Sequence, residues 1–433
     1  MYLDRVIPMT NEGLRRAILS GEYDALLSGF YGSAALGYQR SRYADALAEF
    51  GRLYGECEVS VFSAPGRSEI SGNHTDHNCG KVIAAAVDLD VIAVVAKNGE
   101  EKVSVKSKGC ENTDVIHLDE LDGFKKGVSC SRSLIAGMLA RLSADGYNIG
   151  GFNAYTTSDV IRGSGLSSSA AFEVLIGAII SGLFNGGSLD PVYIAVAAQY
   201  AENVYFGKPC GLMDQTACSV GGFIGIDFGD PAEPKVGRID FDFASCGHAL
   251  CVVDTGGSHA NLTDEYAAIP AEMKSVAEYF GKSVLREVGE DEFLTAIPAL
   301  REKAGDRAIL RAIHYFNENR RVDAQRSALE NGDFAEFLRL LGESGRSSYM
   351  LNQNVFCGGR PREQGIALAL ALTERLLGGK GGFRVHGGGF AGTMQAFVPF
   401  YLLDSYKRGL EEVFGAGSCK VLSVRKQGGA RVI

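Results

Sequence analysis

The segment that most constrains this chain is a glycine- and serine-rich stretch at 162–170, which reads Arg-Gly-Ser-Gly-Leu-Ser-Ser-Ser-Ala. Glycine allows the backbone to take positive φ and to approach a ligand closely. Serine favours the first positions of a helix, and the apolar spacing after Ala170 predicts a largely buried helix. A glycine-rich loop that leads into a helix N-terminus gathers free amides and the positive end of a dipole, as phosphate-binding loops do. An ordinary loop with a helix cap is the alternative that the segment alone leaves open.

Composition and charge describe an ordinary globular chain. Its 433 residues suffice for about two or three domains, and 46% of them are hydrophobic and 22% charged. A formal charge of −9 argues against general binding to nucleic acid or to anionic membranes. We expect no signal peptide and no membrane span, and the ten cysteines contain no Cys-x-x-Cys pair. These features predict a cytoplasmic protein whose cysteines are reduced.

Helical and strand patterns alternate without a regular βα repeat, so the sequence predicts an α+β fold. A segment with Gly229, Pro231 and Pro234 is the candidate domain boundary, and we place the two domains at 1–230 and 231–433. We also expect a polar loop at 66–80 and two strands within 82–96, because aspartates interrupt that apolar run. The remaining predicted elements near the motifs are helices at 168–183 and 191–205 and strands at 58–63, 152–156, 249–254 and 383–386.

A second polar stretch, 65–78, reads Pro-Gly-Arg-Ser-Glu-Ile-Ser-Gly-Asn-His-Thr-Asp-His-Asn. Aspartate and asparagine can accept paired sugar hydroxyls, and Arg67 offers a fixed charge for a phosphoryl group, so the stretch suits a polyhydroxylated ligand. A metal site at His74 and His77 lacks the helical zinc spacing and an evident third ligand. A purely structural polar loop is the other alternative.

Two carboxylates, Glu202 and Asp214, lie twelve residues apart in the sequence. The apolar neighbours of Asp214 predict a partly buried carboxylate. Together with the serines, the pair suggests a cation site and a base that acts on a hydroxyl. Taken alone, each carboxylate could equally be a solvated charge or a helix cap.

A second glycine cluster contains Gly387, Gly389 and Gly392, which fit the dinucleotide fingerprint G-x-G-x-x-G. That fingerprint requires a following helix within a βαβ unit. Here the next residues, 393–398, predict a strand that Pro399 ends. We therefore exclude a dinucleotide site.

Four separated motifs resemble the galactokinase family of the GHMP kinase superfamily. Ala64–Asp76 matches most of A-P-G-R-x-N-x-I-G-E-H-T-D, and Gly163–Ala170 matches G-x-G-L-S-S-S-A. Cys210–Gln215 matches C-G-x-M-D-Q, and Gly387–Gly392 matches G-G-G-F-x-G. The Glu265-Tyr266 pair also matches the family, and the likeness spans residues 45–425.

This resemblance implies a two-domain GHMP kinase fold, with a ribosomal protein S5 domain 2-like N-terminal domain, a ferredoxin-like C-terminal domain and the active site between the domains. It implies ATP-dependent phosphorylation of the anomeric hydroxyl of galactose, with Mg²⁺ as the metal. The products would be galactose 1-phosphate and ADP, in the first committed step of galactose utilisation. The implied partners are a small-molecule sugar and ATP, and we expect a monomer.

The resemblance also implies residue roles. Asp214 would be the base, or the positioning partner, for the anomeric hydroxyl. Arg67 would stabilise the phosphoryl group and keep Asp214 ionised. Ser169 and Glu202 would hold Mg²⁺. ATP would bind Gly163, Ser164, Gly165, Leu166, Ser167, Ser168 and Ser169, and the sugar pocket would be lined by Asn73, His74, Asp76, Gly211 and Tyr266.

Departures from the family motifs leave the substrate open. The family's Glu before His-Thr-Asp is Asn73 here, and its Asn two residues after the Arg is Glu69. By resemblance, the first of these positions contacts the hydroxyl at the far end of galactose. The alternatives are a related kinase of arabinose, galacturonate or N-acetylgalactosamine, and a non-catalytic sugar sensor on the same fold. The family's adenine-side Trp-x-Asn-Tyr is also missing near 131–134.

Overall fold

The computed structural model of the chain describes residues 9–160, 165–230, 233–257 and 262–433. Contacts divide the chain into two units. Unit 1 comprises the residues up to Arg67, Ala86–Gly222 and Arg425–Ile433, and unit 2 comprises Ser68–Ala85 and Phe223–Val424. The predicted boundary at 230/231 cuts the chain once, whereas each of these units gathers separated segments. The units gather separated segments because two long strands, at 58–71 and 81–97, each contribute residues to both units.

Unit 1 is a mixed sheet with helices. Its strands follow the order β1-β2-β3-β6-β4-β5, with β13 also paired to β2. The β3–β6 pair is antiparallel and the β6–β4 pair is parallel. The strands are β1 (Met9–Thr10), β2 (Glu58–Ser71), β3 (Lys81–Lys97), β4 (Lys102–Ser107), β5 (Asp114–His117), β6 (Phe152–Ser158) and β13 (Ala430–Arg431), and the helices are α1 (Asn11–Leu19), α2 (Asp24–Tyr31), α3 (Leu36–Tyr54), α4 (Ser131–Ala144), α5 (Ser168–Phe184), α6 (Pro191–Tyr200) and α7 (Met213–Val220).

Unit 2 contains an antiparallel sheet with the order β10-β11-β9-β12. Along the chain, helices separate β9 from the adjacent β10 and β11, and one helix separates β11 from β12, which is the ferredoxin-like arrangement. In the same unit, β7 pairs with the start of β3 and with β8. The strands are β7 (Phe223–Asp227), β8 (Lys235–Ile239), β9 (His248–Asp254), β10 (Gly382–Val385), β11 (Thr393–Pro399) and β12 (Cys419–Leu422), and the helices are α8 (Thr263–Tyr279), α9 (Glu290–Lys303), α10 (Asp306–Glu330), α11 (Phe334–Ser347), α12 (Gly365–Leu377) and α13 (Leu403–Phe414).

Local signals set several element ends as the sequence predicts. The α6 helix begins after Asp190, whose side chain accepts from the amides of Val192 and Tyr193, and Pro191 takes the first helical position. The α5 helix begins at Ser168 and is almost entirely buried along its apolar residues. The predicted fold class, α+β, is confirmed. The strand predicted after the second glycine cluster is confirmed, since β11 begins at Thr393, directly after Gly392.

The expectation of two strands within 82–96 is wrong, because β3 is a single strand that runs from Lys81 to Lys97. Its second aspartate, Asp90, is fully buried and forms ion pairs with Arg42 and Arg425. A paired carboxylate can stay inside a strand that a solvated one would interrupt.

The expectation of a loop at 66–80 is wrong for its first six residues, since β2 continues to Ser71. Polar side chains in this part of β2 are buried with partners: Ser68 donates to Gln395 Oε1, and Glu69 pairs with Arg384.

No helix among the described residues combines the length and the apolar character needed to cross a membrane.

Candidate functional site

The site residues of unit 1 meet around the start of α5. Gly165 takes φ of +75°, and Ser167, the residue before α5, takes the left-handed φ of 57°. A non-glycine residue in that region stores strain, which is common at functional sites. The backbone carbonyl of the buried Leu166 accepts from the amide of Arg67 at 3.1 Å. This contact holds the described part of the serine loop, our name for the stretch at 162–170, against β2. Gly163 and Ser164 lie outside the described residues.

Arg67 and Asp214 form a bidentate ion pair. The Arg67 Nε donates to Asp214 Oδ1 at 2.7 Å, and a terminal nitrogen donates to Oδ2 at 2.6 Å. The Ser167 hydroxyl also donates to Oδ2, and Arg67 donates to the carbonyl of Gly165. One carboxylate therefore joins three of the motifs, and Asp214 is still 31% exposed.

The charge state of Asp214 follows from these partners. Burial raises its pKa, but the Arg67 charge and the hydrogen bonds from Arg67 and Ser167 outweigh burial, so the pKa lies below its usual value. Asp214 also lies in the first turn of α7, where the helix dipole favours a negative charge. The carboxylate is therefore ionised at neutral pH. The predicted association of Arg67 with Asp214 is present in the structure.

Glu202 lies beside the first turn of α5. The Ser169 hydroxyl donates to Glu202 Oε1 at 3.1 Å, and the Gln215 amide donates to Oε2 at 2.8 Å. The Glu202 side chain is 3% exposed, and Lys208 Nζ lies 3.2 Å from Oε1. Lys208 and Gln215 were not among the predicted site residues. The signal for them was their sequence proximity to Glu202 and Asp214.

The Ser169 hydroxyl and the Glu202 carboxylate are oxygen ligands of the kind that Mg²⁺ prefers. No group of three or more potential metal ligands occurs in the parts of the chain that the structure describes. Mg²⁺ commonly takes only one or two carboxylates and fills its remaining positions with phosphate oxygens and water. The Ser169–Glu202 pair therefore fits a metal that arrives with a nucleotide.

Three of the predicted sugar-binding residues, Asn73, His74 and Tyr266, contact the second glycine cluster. Carbonyls of this cluster are held from both sides: His74 Nε2 bonds Gly388 O at 2.9 Å, and the Tyr266 hydroxyl donates to Gly389 O at 2.8 Å. A Cβ on Gly388 would lie 2.2 Å from the Tyr266 ring. Only glycine can occupy that position with Tyr266 in place.

His74 is a neutral ring in this setting. Burial lowers its pKa to about 4, and the neighbouring His77 acts in the same direction. At neutral pH, His74 therefore donates through Nε2 to the carbonyl of Gly388, and Nδ1 is an acceptor. Asp76, the next predicted ligand, is 22% exposed and lies 3.8 Å from the His77 ring nitrogen.

Asn73 is 1% exposed, and its amide is fully used by the protein. Its nitrogen donates to Glu69 Oε1 and to Gly387 O, and its oxygen accepts from Ser348 and Asn354. Two donors and two lone pairs are all that an asparagine amide offers. The loop at 72–80 is called the sugar loop here, because it contains the predicted sugar ligands His74 and Asp76. The geometry favours Asn73 as a support of this loop over Asn73 as a direct sugar ligand.

Further buried groups that the sequence did not indicate hold the same loop. His314 Nε2 bonds the carbonyl of Asn73 at 2.9 Å, and Glu318 Oε1 accepts from the amide of Gly72 at 3.2 Å. Burial raises the pKa of Glu318, but the charges of Arg321, His314 and Arg384 lower it to about 2. The loop is therefore anchored by ionised and polar groups from distant parts of the chain, and no local pattern marks them.

Comparisons with known proteins agree with these motifs. The galactokinase galactose-binding signature matches residues 48–97, and the N-terminal domain of GHMP kinases matches residues 133–222. A galactokinase of Streptomyces coelicolor is 31% identical over 374 residues, which cover 86% of this chain and 92% of that relative.

Solved structures show the same fold at lower identity. The galactokinase of Lactococcus lactis, crystallised with galactose, has a TM-score of 0.73 at 24% identity, covering 89% of this chain and 98% of its own. The mevalonate kinase of Methanococcus jannaschii has a TM-score of 0.60 at 13% identity, covering 84% of this chain and 98% of its own. The predicted GHMP kinase fold is thereby confirmed. Because the chain carries the motifs and is 31% identical to the Streptomyces coelicolor galactokinase over 86% of its length, it belongs to the galactokinase family.

Proposed function

We propose that this chain transfers the γ-phosphoryl group of ATP to the anomeric hydroxyl of galactose, giving galactose 1-phosphate and ADP. The observation that carries the proposal is the contact of Asp214 with both Arg67 and Ser167. In this contact, an ionised carboxylate and a guanidinium lie beside Ser167, the residue directly before α5. Phosphoryl transfer requires a carboxylate that positions the nucleophile, a fixed cation and a helix N-terminus that binds phosphate.

Asp214 acts by accepting the hydrogen bond of the attacking hydroxyl. Its depressed pKa makes it a weak base in the ground state. Phosphoryl transfer proceeds through a loose transition state, so the hydroxyl needs to lose its proton only late in the reaction. A positioned, ionised carboxylate serves that late proton transfer, and Arg67 keeps it ionised.

The amides from Gly165 to Ser169, which precede and begin α5, bind the phosphates of ATP. Ser169 and Glu202 would hold Mg²⁺, which would supply positive charge against the transferring phosphoryl group. Each of these assignments can fail separately from the overall reaction. Glu202→Gln should raise the Mg²⁺ concentration needed for half-maximal rate, and an unchanged Mg²⁺ dependence would count against the metal assignment.

His74, Asp76 and Tyr266 of unit 2 contact the sugar. A sugar-binding role for Gly211 stays a prediction. Asp76 supplies a partly exposed carboxylate for sugar hydroxyls, and His74 supplies a neutral acceptor. Asn73 holds the loop instead of binding the sugar, because its amide is saturated. The domain division at 230/231, the cytoplasmic location and the monomeric state stay predictions.

The deciding experiment measures ATP consumption by the purified chain with galactose, arabinose, galacturonate and N-acetylgalactosamine. We expect the highest kcat/KM with galactose and a product phosphorylated at the anomeric carbon, as ³¹P NMR would show. A higher kcat/KM with another sugar would replace galactose as the substrate. Absence of turnover with every sugar, together with sugar binding, would identify a sensor.

A further inference from the structure

Lys208 lies against Glu202 because of the local backbone. Ala201–Phe206 forms a π-helical turn, after which Gly207 takes φ of +83°. The amides of Gly207 and Lys208 both donate to the carbonyl of Glu202, at 3.0 and 3.1 Å. This reversal directs the Lys208 side chain back over the carboxylate of the residue that anchors its own backbone.

The Lys208 ammonium shares one oxygen with a proposed metal partner. Lys208 Nζ lies 3.2 Å from Glu202 Oε1, and the Ser169 hydroxyl donates to that same oxygen at 3.1 Å. The other oxygen, Oε2, is taken by the Gln215 amide. Any cation that binds Glu202 through Oε1 must therefore compete with the ammonium.

The two side chains differ in exposure. The Glu202 side chain is 3% exposed, and the Lys208 side chain is 63% exposed. A buried carboxylate needs a compensating partner, which the ammonium supplies from the solvent side. The long, exposed lysine side chain can leave without disturbing the packed residues, whereas Glu202 is held in place by Gln215 and Ser169.

We propose that Lys208 is a tethered cation that occupies the metal position on Glu202 until a metal–nucleotide complex displaces it. This inference rests on the proposed role of Ser169 and Glu202 as Mg²⁺ partners. It follows that the free enzyme binds divalent metal weakly, because the ion would have to displace the ammonium without additional ligands from phosphate oxygens. The metal enters together with ATP.

The test is a titration of the full-length chain with Mn²⁺, a paramagnetic probe for Mg²⁺ sites, in the absence of nucleotide and at constant ionic strength. Electron paramagnetic resonance reports free Mn²⁺ directly. We expect Lys208→Met, which keeps the length of the side chain but not its charge, to bind Mn²⁺ at least tenfold more tightly than the wild type. Lys208→Arg, which keeps the charge, should bind Mn²⁺ as weakly as the wild type.

Glu202→Gln in the Lys208→Met background separates this inference from the function on which it rests. Loss of the tighter Mn²⁺ binding in the double variant would support competition at Glu202. Unchanged or weaker Mn²⁺ binding by Lys208→Met would overturn the proposed role of Lys208. A higher KM for ATP in this variant, without tighter Mn²⁺ binding, would overturn it as well. If Glu202→Gln alone leaves the Mg²⁺ dependence of phosphorylation unchanged, the metal assignment itself is wrong. Circular dichroism of each variant verifies that it is folded.

Discussion

At the scale of the residue, Asp214 is the side chain on which the proposed chemistry depends most. Asp214→Asn removes the charge but keeps the shape of the side chain. We expect kcat at saturating galactose to fall by about 10²–10⁴, which is the usual contribution of a positioned acid or base. Galactose binding, measured by calorimetry, should stay close to that of the wild type.

Asp240→Asn, at an exposed position, is the matched control and should leave kcat unchanged. The pH profile adds a second check. Because the Asp214 pKa lies below its usual value of 3.8, Asp214 should cause no decline of kcat between pH 7 and that value. Near-normal turnover of Asp214→Asn would show that this carboxylate does not act on the hydroxyl.

A second residue-scale prediction concerns Asn73. Asn73→Asp places an acceptor against Glu69 Oε1 and the Gly387 carbonyl, where the wild type has two N–H donors. We expect the free energy of unfolding of the protein to fall by about 3 kcal/mol at neutral pH, since a donor to two buried acceptors becomes an acceptor that they repel. Urea unfolding followed by far-ultraviolet circular dichroism measures the change.

The repulsion also raises the pKa of the introduced carboxyl in the folded protein above that in the unfolded chain. The destabilisation should therefore be full above the folded-state pKa and shrink as the pH falls toward the unfolded value. Asn112→Asp, in an exposed loop, controls for the added charge. A variant as stable as the wild type would mean that the amide network around Asn73 does not hold the sugar loop.

At the scale of the element, the serine loop is positioned by the strand that it packs against. A Cβ at Gly66 of β2 would lie 2.8 Å from the carbonyl of Leu166, which belongs to this loop. Gly66→Ala should therefore shift the loop and lower kcat/KM for ATP by roughly ten- to hundredfold, as sub-ångström to ångström misplacement does in active sites.

Gly29→Ala is the matched control, because Gly29 lies in α2 with open space around the new methyl group. It should leave kcat/KM for ATP unchanged and slightly stabilise its helix. Steady-state kinetics with varied ATP at saturating galactose compare the two variants. An unaltered kcat/KM in Gly66→Ala would remove the argument that β2 sets the position of the nucleotide loop.

At the scale of the molecule, the C-terminal segment of unit 1 is tied to the strand β3 by a buried ion pair and to β2 by a hydrogen bond. Arg425, fully buried, donates to Asp90 Oδ2 at 2.9 Å and to the Ser63 hydroxyl at 2.7 Å. Burial raises the pKa of Asp90, but the charges of Arg42 and Arg425 lower it below its usual value of 3.8. This carboxylate therefore contributes stability above pH 3.8, and the contribution is lost as the pH falls through its folded-state pKa.

Arg425→Met leaves Asp90 with one arginine in place of two. We expect the free energy of unfolding of the protein to fall by about 3–5 kcal/mol at pH 7, the usual cost of removing one partner of a buried ion pair. Lys426→Met, at the exposed neighbouring position, should change it by less than about 0.5 kcal/mol. The chain has no tryptophan, so tyrosine fluorescence during urea unfolding is the measurement. Equal stability of the two variants would refute the structural role of this cluster.

The sequence by itself determined the parts of this protein whose cause is local. Glycine and serine before an apolar run indicated the start of α5, and Asp190-Pro191 indicated the start of α6. The pattern after Gly392 indicated the strand β11. The motif residues also indicated the family, and the contact of Arg67 with Asp214 lay within reach because both belong to motifs. In each case a few adjacent side chains or a backbone preference decide the outcome, so a linear pattern contains the information.

Only the tertiary structure decided which polar residues are buried and what each of them contacts. A solvated aspartate would have interrupted β3, but Arg42 and Arg425, from opposite ends of the chain, neutralise Asp90 inside it. The saturation of Asn73 requires Ser348 and Asn354, which lie 275 and 281 residues away in sequence. Burial of a charge or an amide is favourable only when every partner is in place, and such partners are brought together by folding, which no local pattern records.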